Sequence, residues 1–159
     1  MDRSGRARRH PASRRTRHLK LFLDTSALIA ASGSHIGAAR RIIELASANS
    51  WELIATPYVL WEIGRNIVKF PLPAQAEWHA IRPCLLIRPD VLSSDRLIVF
   101  TKTKDRPVLL SASAWADVLI THDTGDFHRR LGTSFYGLKI RTPLEFLTEQ
   151  HRTSALVLP

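Results

Sequence analysis

Four carboxylates stand at places along the chain where an open parallel sheet would bring them together. Asp24 closes the apolar run Leu19-Lys20-Leu21-Phe22-Leu23, and Glu62 lies early in the helical stretch Pro57–Lys69. Asp105 precedes a helix beginning near Arg106, Asp123 follows Val118-Leu119-Ile120-Thr121, and Asp126 comes one short turn later. Ligands bind such sheets beyond the C-terminal ends of the strands, which is where these acids collect. Carboxylates held close repel, so a folded chain keeps them together with a cation or with raised pKa values. No His or Cys cluster accompanies them, and an all-oxygen donor set selects Mg²⁺ or Mn²⁺ over Zn²⁺. Such a centre can orient a phosphodiester, activate a water and stabilise the leaving oxygen. Thr25, Ser26 and Thr121 add hydroxyls that could bind a phosphate or a water. Each acid alone has a plainer reading: Asp24 or Asp105 as a helix N-cap, Glu62 as a solvated-face residue, Asp123 or Asp126 as shaping a turn. The chemical reading rests on all of them reaching one edge.

Positioning these groups falls to an alternation of strands and helices. Strands are expected at Leu19–Leu23, Trp51–Ala55, Cys84–Ile87, Ala116–Thr121 and Leu138–Ile140, from short apolar runs bounded by breakers. Helical spacing predicts helices from Thr25 to about Gly33, over Ile36–Ala48, Pro57–Lys69, Ala74–Ala80 and Arg106–Trp115, and from Thr142-Pro143 to about Gln150. Thr56-Pro57 and Thr142-Pro143 fit the N-cap and first helical position. Asp126–Leu131 reads as a helical turn, Arg88–Val99 gives no clear pattern, and the apolar end Ala155–Leu158 either docks or stays free. The alternation predicts an α/β chain, a three-layer α/β/α domain around a central, mostly parallel sheet.

The 159 residues, 45% of them hydrophobic, suit one compact domain over 19–150, with a tail at 151–159. Seven arginines (3, 6, 8, 9, 14, 15 and 17) against one acid, Asp2, place +6 of the formal +9 charge in the first 18 residues. That arm, 1–18, lacks core-forming residues and is expected to be disordered. It is either a sequence-blind phosphate contact or a solvated tail. Ser13-Arg14-Arg15 before an apolar stretch faintly resembles a twin-arginine export signal. Lys20 and Asp24 interrupt that stretch and argue against a signal peptide. No apolar run reaches the roughly 18–20 residues that cross a bilayer, and the lone Cys84 fits a reducing compartment. A cytoplasmic protein with no membrane partner is expected.

These residues also carry a resemblance. Leu21-Phe22-Leu23-Asp24-Thr25-Ser26-Ala27-Leu28-Ile29 resembles the opening motif of PIN-domain ribonucleases, and Leu60-Trp61-Glu62-Ile63 looks like their second motif. Lys104-Asp105-Arg106-Pro107-Val108-Leu109, running on to Ala116-Asp117-Val118-Leu119-Ile120-Thr121-His122-Asp123-Thr124-Gly125-Asp126-Phe127, is similar to the third and fourth. The resemblance spans about Lys20–Leu147 in order. It implies Mg²⁺- or Mn²⁺-dependent hydrolysis of single-stranded RNA, with Asp24, Glu62, Asp105 and Asp123 as metal-binding acids and Asp126 as an auxiliary one. It further implies a VapC-type toxin held by a cognate antitoxin protein, and pairing of like subunits as a homodimer. Structured RNA is a further candidate substrate, and Lys102, Lys104 and Arg106 either guide phosphates or form a solvated basic loop. Two departures concern substrate rather than chemistry: His122 stands where the family often has a small residue, and the arginine-rich arm is longer than usual. Two alternatives remain. A haloacid-dehalogenase-like phosphatase would want a second acid where Ser26 stands, and a PIN-like scaffold could bind RNA or protein without catalysis.

Overall fold

In the structure, a computed structural model, residues 18–95, 105–123, 125, 134–153 and 155–159 are described. The centre is a six-stranded sheet. In chain order its strands are β1 (Leu19–Leu23), β2 (Trp51–Ala55), β3 (Leu86–Ile87), β4 (Val118–Ile120), β5 (Ser134–Phe135) and β6 (Leu138–Arg141). They lie in the order β3-β2-β1-β4-β6-β5. All neighbours pair in parallel except β5 and β6, which form an antiparallel hairpin. The helices are α1 (Thr25–Gly33), α2 (Ala38–Leu45), α3 (Pro57–Ile67), α4 (Leu72–Ile81), α5 (Arg106–Trp115) and α6 (Pro143–Arg152), with a 3-10 turn over Arg82–Cys84 after α4. Helices flank the sheet, as the α/β reading expected.

Burial along the strands explains the layering. Consecutive residues Leu21, Phe22 and Leu23 are all buried, as are Leu53, Ile54 and Ala55 and then Val118, Leu119 and Ile120. Successive side chains on a strand point to opposite faces, so unbroken burial means that both faces are covered. The core joins these strands to Leu28 of α1, Ile42 and Leu45 of α2, Ile63 of α3, Leu109 of α5 and Phe146 of α6. Among the described residues, no helix is long and apolar enough to cross a membrane.

Several expectations are corrected. The Leu138–Ile140 strand has a partner that the sequence reading missed. Tyr136 and Gly137 turn the β5–β6 hairpin with φ of 47° and 89°, the pair of positive values that a two-residue primed turn needs. Helix α3 ends at Ile67 rather than Lys69, with Val59, Ile63 and Ile67 as its buried stripe. Helix α2 spans Ala38–Leu45 rather than 36–48, and it buries Ala39, Ile42 and Leu45. The strand expected over 84–87 is confined to Leu86–Ile87, and that expected over 116–121 to Val118–Ile120. The Asp126–Leu131 turn falls wholly outside the described residues, as does nearly all of the arginine-rich arm.

The apolar end, left open between docked and free, is docked. Asn49 donates through Nδ2 to the Leu45 and Val157 carbonyls and accepts the Val157 amide at Oδ1, all within 2.7–2.9 Å. Leu156 packs against the core beside them.

Candidate active site

Strand β1 is central, and it delivers Asp24 just past its last residue. The Asp24 amide still donates to the Ile120 carbonyl of β4, so the end of β1 is tied to the strand that leads to Asp123. Asp24 does cap α1, as its plainer reading held, with Oδ1 accepting the Ala27 amide at 2.9 Å. The capping role does not exhaust the carboxylate. Ser26 donates to Oδ1 at 2.7 Å and Thr121 to Oδ2 at 2.5 Å. Asp24 is buried, at 7% exposure. Burial pushes its pKa above the ordinary carboxylate range, against the three donors that lower it and with the Asp123 charge raising it further.

Glu62 rides on α3, one helix away, and accepts the Thr25 hydroxyl at Oε2 over 2.5 Å. The solvated-face reading of Glu62 is thereby replaced by a bond to the residue beside Asp24. Asp105 takes the N-cap position of α5 but makes no side-chain cap bond there. Its carboxyl instead helps line a cleft of about 210 Å³ together with Asp24, Thr25, Ser26, Ile29, Glu62, Val108 and Asp123. All four acids therefore border one cleft, each from a different segment. Asp123 donates its amide to Thr121 Oγ1 at 3.0 Å, so one hydroxyl organises both Asp24 and the turn bearing Asp123. Ser26 plays the matching part for the next residue, accepting the His122 amide at 2.9 Å, and lies 3.4 Å from Thr121 Oγ1. His122 itself is exposed, and so is Arg106. Asp126, Lys102 and Lys104 lie outside the described residues.

Two neighbours escaped the sequence reading. Asp90 follows β3 and accepts the Tyr58 amide at 3.1 and 3.3 Å. It caps α3 from 32 residues downstream, because Thr56 makes no side-chain cap bond and Pro57 has no amide proton. Tyr58 is partly buried against the core. Its phenol is pushed above the usual value by burial, then by the charges of Glu62, Asp105 and Asp90. The position of Tyr58, one helical turn before Glu62, was the available signal. Asp90 had none, since it sits in the stretch without a pattern.

The chemistry of the donors fits a hard divalent cation: four carboxylates, flanking hydroxyls, and neither His nor Cys. Among the described residues, no three Asp, Glu, His or Cys side chains are close enough to enclose one ion. That spacing is compatible with Mg²⁺, which keeps several waters and is usually held by one or two carboxylates plus substrate phosphate. The carboxyls here are spread onto Thr25 and Thr121 rather than drawn to one point. The Ser26 hydroxyl bonded to Asp24 also occupies the position where a phosphatase of the haloacid-dehalogenase kind would need an acid.

No family model matches the chain, and no curated protein matches it. Its fold does have a counterpart among solved structures, in a chain of the crystal structure of VapBC2 from Rickettsia felis bound to a DNA fragment from their promoter. That likeness covers 78% of this chain and 98% of the other, with a TM-score of 0.54 and 17% sequence identity. At that identity it speaks for the fold, and the function has to be argued from the site.

Proposed function

We propose that the chain is a Mg²⁺- or Mn²⁺-dependent endoribonuclease acting on single-stranded RNA, and the toxin of a toxin–antitoxin pair. The observation that carries the nuclease is the meeting of Asp24, Glu62, Asp105 and Asp123 around one cleft, above the C-terminal ends of the two strands that lead to Asp24 and Asp123. Support for the toxin–antitoxin setting comes from the likeness of fold to a chain of a VapBC2 complex. On this reading the partner is an antitoxin protein and the setting is the cytoplasm.

Each side chain has a part. Asp24, Asp105 and Asp123 would anchor the cation, one or two of them directly and the rest through its waters, and Glu62 would share in that or accept a proton from the attacking water. When bound, the cation supplies Lewis acidity, offsetting phosphodiester charge and making a water more acidic at neutral pH. Thr121 and Ser26 keep both Asp24 oxygens in acceptor geometry, and Thr25 aims Glu62. Ile29 and Val108 form the apolar part of the cleft wall, where lower local polarity strengthens every charge interaction.

The test is cleavage of a mixed pool of labelled single-stranded RNAs by the purified chain with Mn²⁺, with Mg²⁺ and with EDTA, beside Asp24→Asn. Cleavage is expected only with metal, and at background level in the variant. Cleavage that persists in EDTA, or is equal in Asp24→Asn, refutes the assignment. RNA binding without any cleavage replaces it with a non-catalytic binding module.

A further inference from the structure

Beside the acid cleft, α3 carries an aromatic side chain, Trp61, that the core does not use, next to a partly buried one, Tyr58. Trp61 is 55% exposed although it is next to Glu62 in the chain. Its ring stands 6.0 Å from that of Tyr58 at an interplanar angle of 36°, and the Arg65 guanidinium lies 4.8 Å over its centroid. At about 100° per residue, Glu62, Tyr58, Arg65 and Trp61 follow one another around a single side of the helix. Opposite them Val59, Ile63 and Ile67 are buried. The ribbon therefore starts at a cleft carboxylate and runs outward through a phenol, a guanidinium and an indole. Tyr58 marks the junction, since the charges of Glu62 and Asp105 both bear on its phenol.

An exposed indole under an arginine is an unusual thing to leave beside a set of acids. Packing does not explain it, because the stripe that holds α3 to the core lies on the other side. The three groups are the ones that single-stranded nucleic acid uses: a flat ring on which any base can stack, and a cation for the adjacent phosphate. The cation also answers an electrostatic problem. Four carboxylates repel a polyanion, and Arg65 places positive charge within one helical turn of Glu62.

We propose that Trp61, with Tyr58 and Arg65, forms a nucleobase-stacking subsite that holds a base of single-stranded RNA next to the phosphodiester in the acid cleft. The base lies on the indole face that the Arg65 guanidinium covers in its absence, and the guanidinium swings to the neighbouring phosphate. Stacking of this kind tolerates any base, so the subsite contributes affinity and placement rather than sequence choice. The proposal rests on the nuclease reading for the identity of the strand, but it is tested without metal and without cleavage.

The experiment measures binding of the full chain, in EDTA, to a labelled mixed-sequence single-stranded RNA and to a strand of the same length that is abasic throughout. Trp61→Ala is expected to weaken binding of the base-bearing strand by about 5- to 100-fold, and Trp61→Phe to restore most of it. Neither substitution should alter affinity for the abasic strand. With Mn²⁺ present, Trp61→Ala should raise KM while leaving kcat close to wild type. Equal affinity of the wild type for the two strands, or of Trp61→Ala and wild type for the base-bearing one, overturns the subsite. So does a Trp61→Ala chain that loses self-association, by light scattering, while its RNA affinity is unchanged, for the indole would then serve a protein contact. The nuclease reading fails separately: if metal-dependent cleavage is absent while binding still depends on Trp61, the stacking subsite stands and the catalysis does not.

Discussion

Asp24 answers two opposing demands, and they can be separated by pH. Its folded pKa is raised, chiefly by burial, so the protonated form is the one the fold favours. The stabilisation from that form is complete below the unfolded value near 3.8 and is lost as pH rises through the higher folded value. At neutral pH an ionised Asp24 therefore destabilises the chain. Asp24→Asn keeps an acceptor for the Ala27 amide and removes the charge. It should melt higher than wild type near pH 7, by about 2–4 °C for each kcal/mol relieved, with the gap closing in acid. Added Mn²⁺ should raise the melting temperature of the wild type more than that of the variant; thermal melts across pH with and without metal check both. Thr25 gives a second handle at this scale. Thr25→Val preserves shape but leaves Glu62 unaimed, and cleavage should fall by about 10- to 100-fold with the melting temperature little changed. The approach of the four acids to one cleft was legible in the sequence because Asp24 and Asp123 stand just past strands, Glu62 in the first turns of the helix beyond β2, and Asp105 just before α5. Their hydroxyl partners were noticed as residue types only: nothing in local spacing says that Thr121 bonds Asp24 rather than a phosphate.

Elements were legible where periodicity was long and bounded. Strands β1 and β2 have the expected limits, and helix α5 does as well. The Thr142-Pro143 signal is realised as a full capping box, with Thr142 Oγ1 accepting the Glu145 amide and the Glu145 carboxylate accepting the Thr142 amide. The β5 strand was not legible, because two residues carry no period and Tyr-Gly is a weaker turn signal than Asn-Gly. The capping of α3 by Asp90 is a long-range event, and local reading credits Thr56 instead. Helix α6 is fastened to its neighbouring strand by Glu149, which accepts from Arg141 at 2.9 Å and Lys139 at 3.1 Å. The Arg141 bond is the main cause of a Glu149 pKa below its usual 4.5. That stabilisation is present above the unfolded pKa and is lost as pH falls through the lower folded one. Glu149→Gln should therefore cost about 1 kcal/mol near neutral pH, and the difference from wild type should fade in acid, as chemical denaturation at several pH values would read out.

The molecule as a whole is held by contacts between segments far apart in the chain. The docked C-terminal segment is one of them, since Asn49 is 3% exposed and depends on Val157 for two of its hydrogen bonds. Removing 155–159 takes from Asn49 its acceptor's partner and one of its two donor partners, leaving only the Leu45 bond, and should cost about 1–3 kcal/mol without altering the acid cleft. A urea titration of the shortened chain beside wild type, with cleavage assayed in parallel, tests both halves of that statement. Sheet topology is the larger case. The strand order β3-β2-β1-β4-β6-β5 puts β4, made late, against β1, made first. Asp24 gains its Thr121 donor and its Asp123 neighbour only across that pairing. Seen as a timetable, this order has a protective side. A chain still being synthesised has made Asp24, Glu62 and Asp105 before it makes Asp123, and β6, which flanks β4, comes later again. If the proposed nuclease activity holds, a chain assembled in that sequence would stay harmless to the message and the ribosome making it, and would become active only once its last strands had joined the sheet.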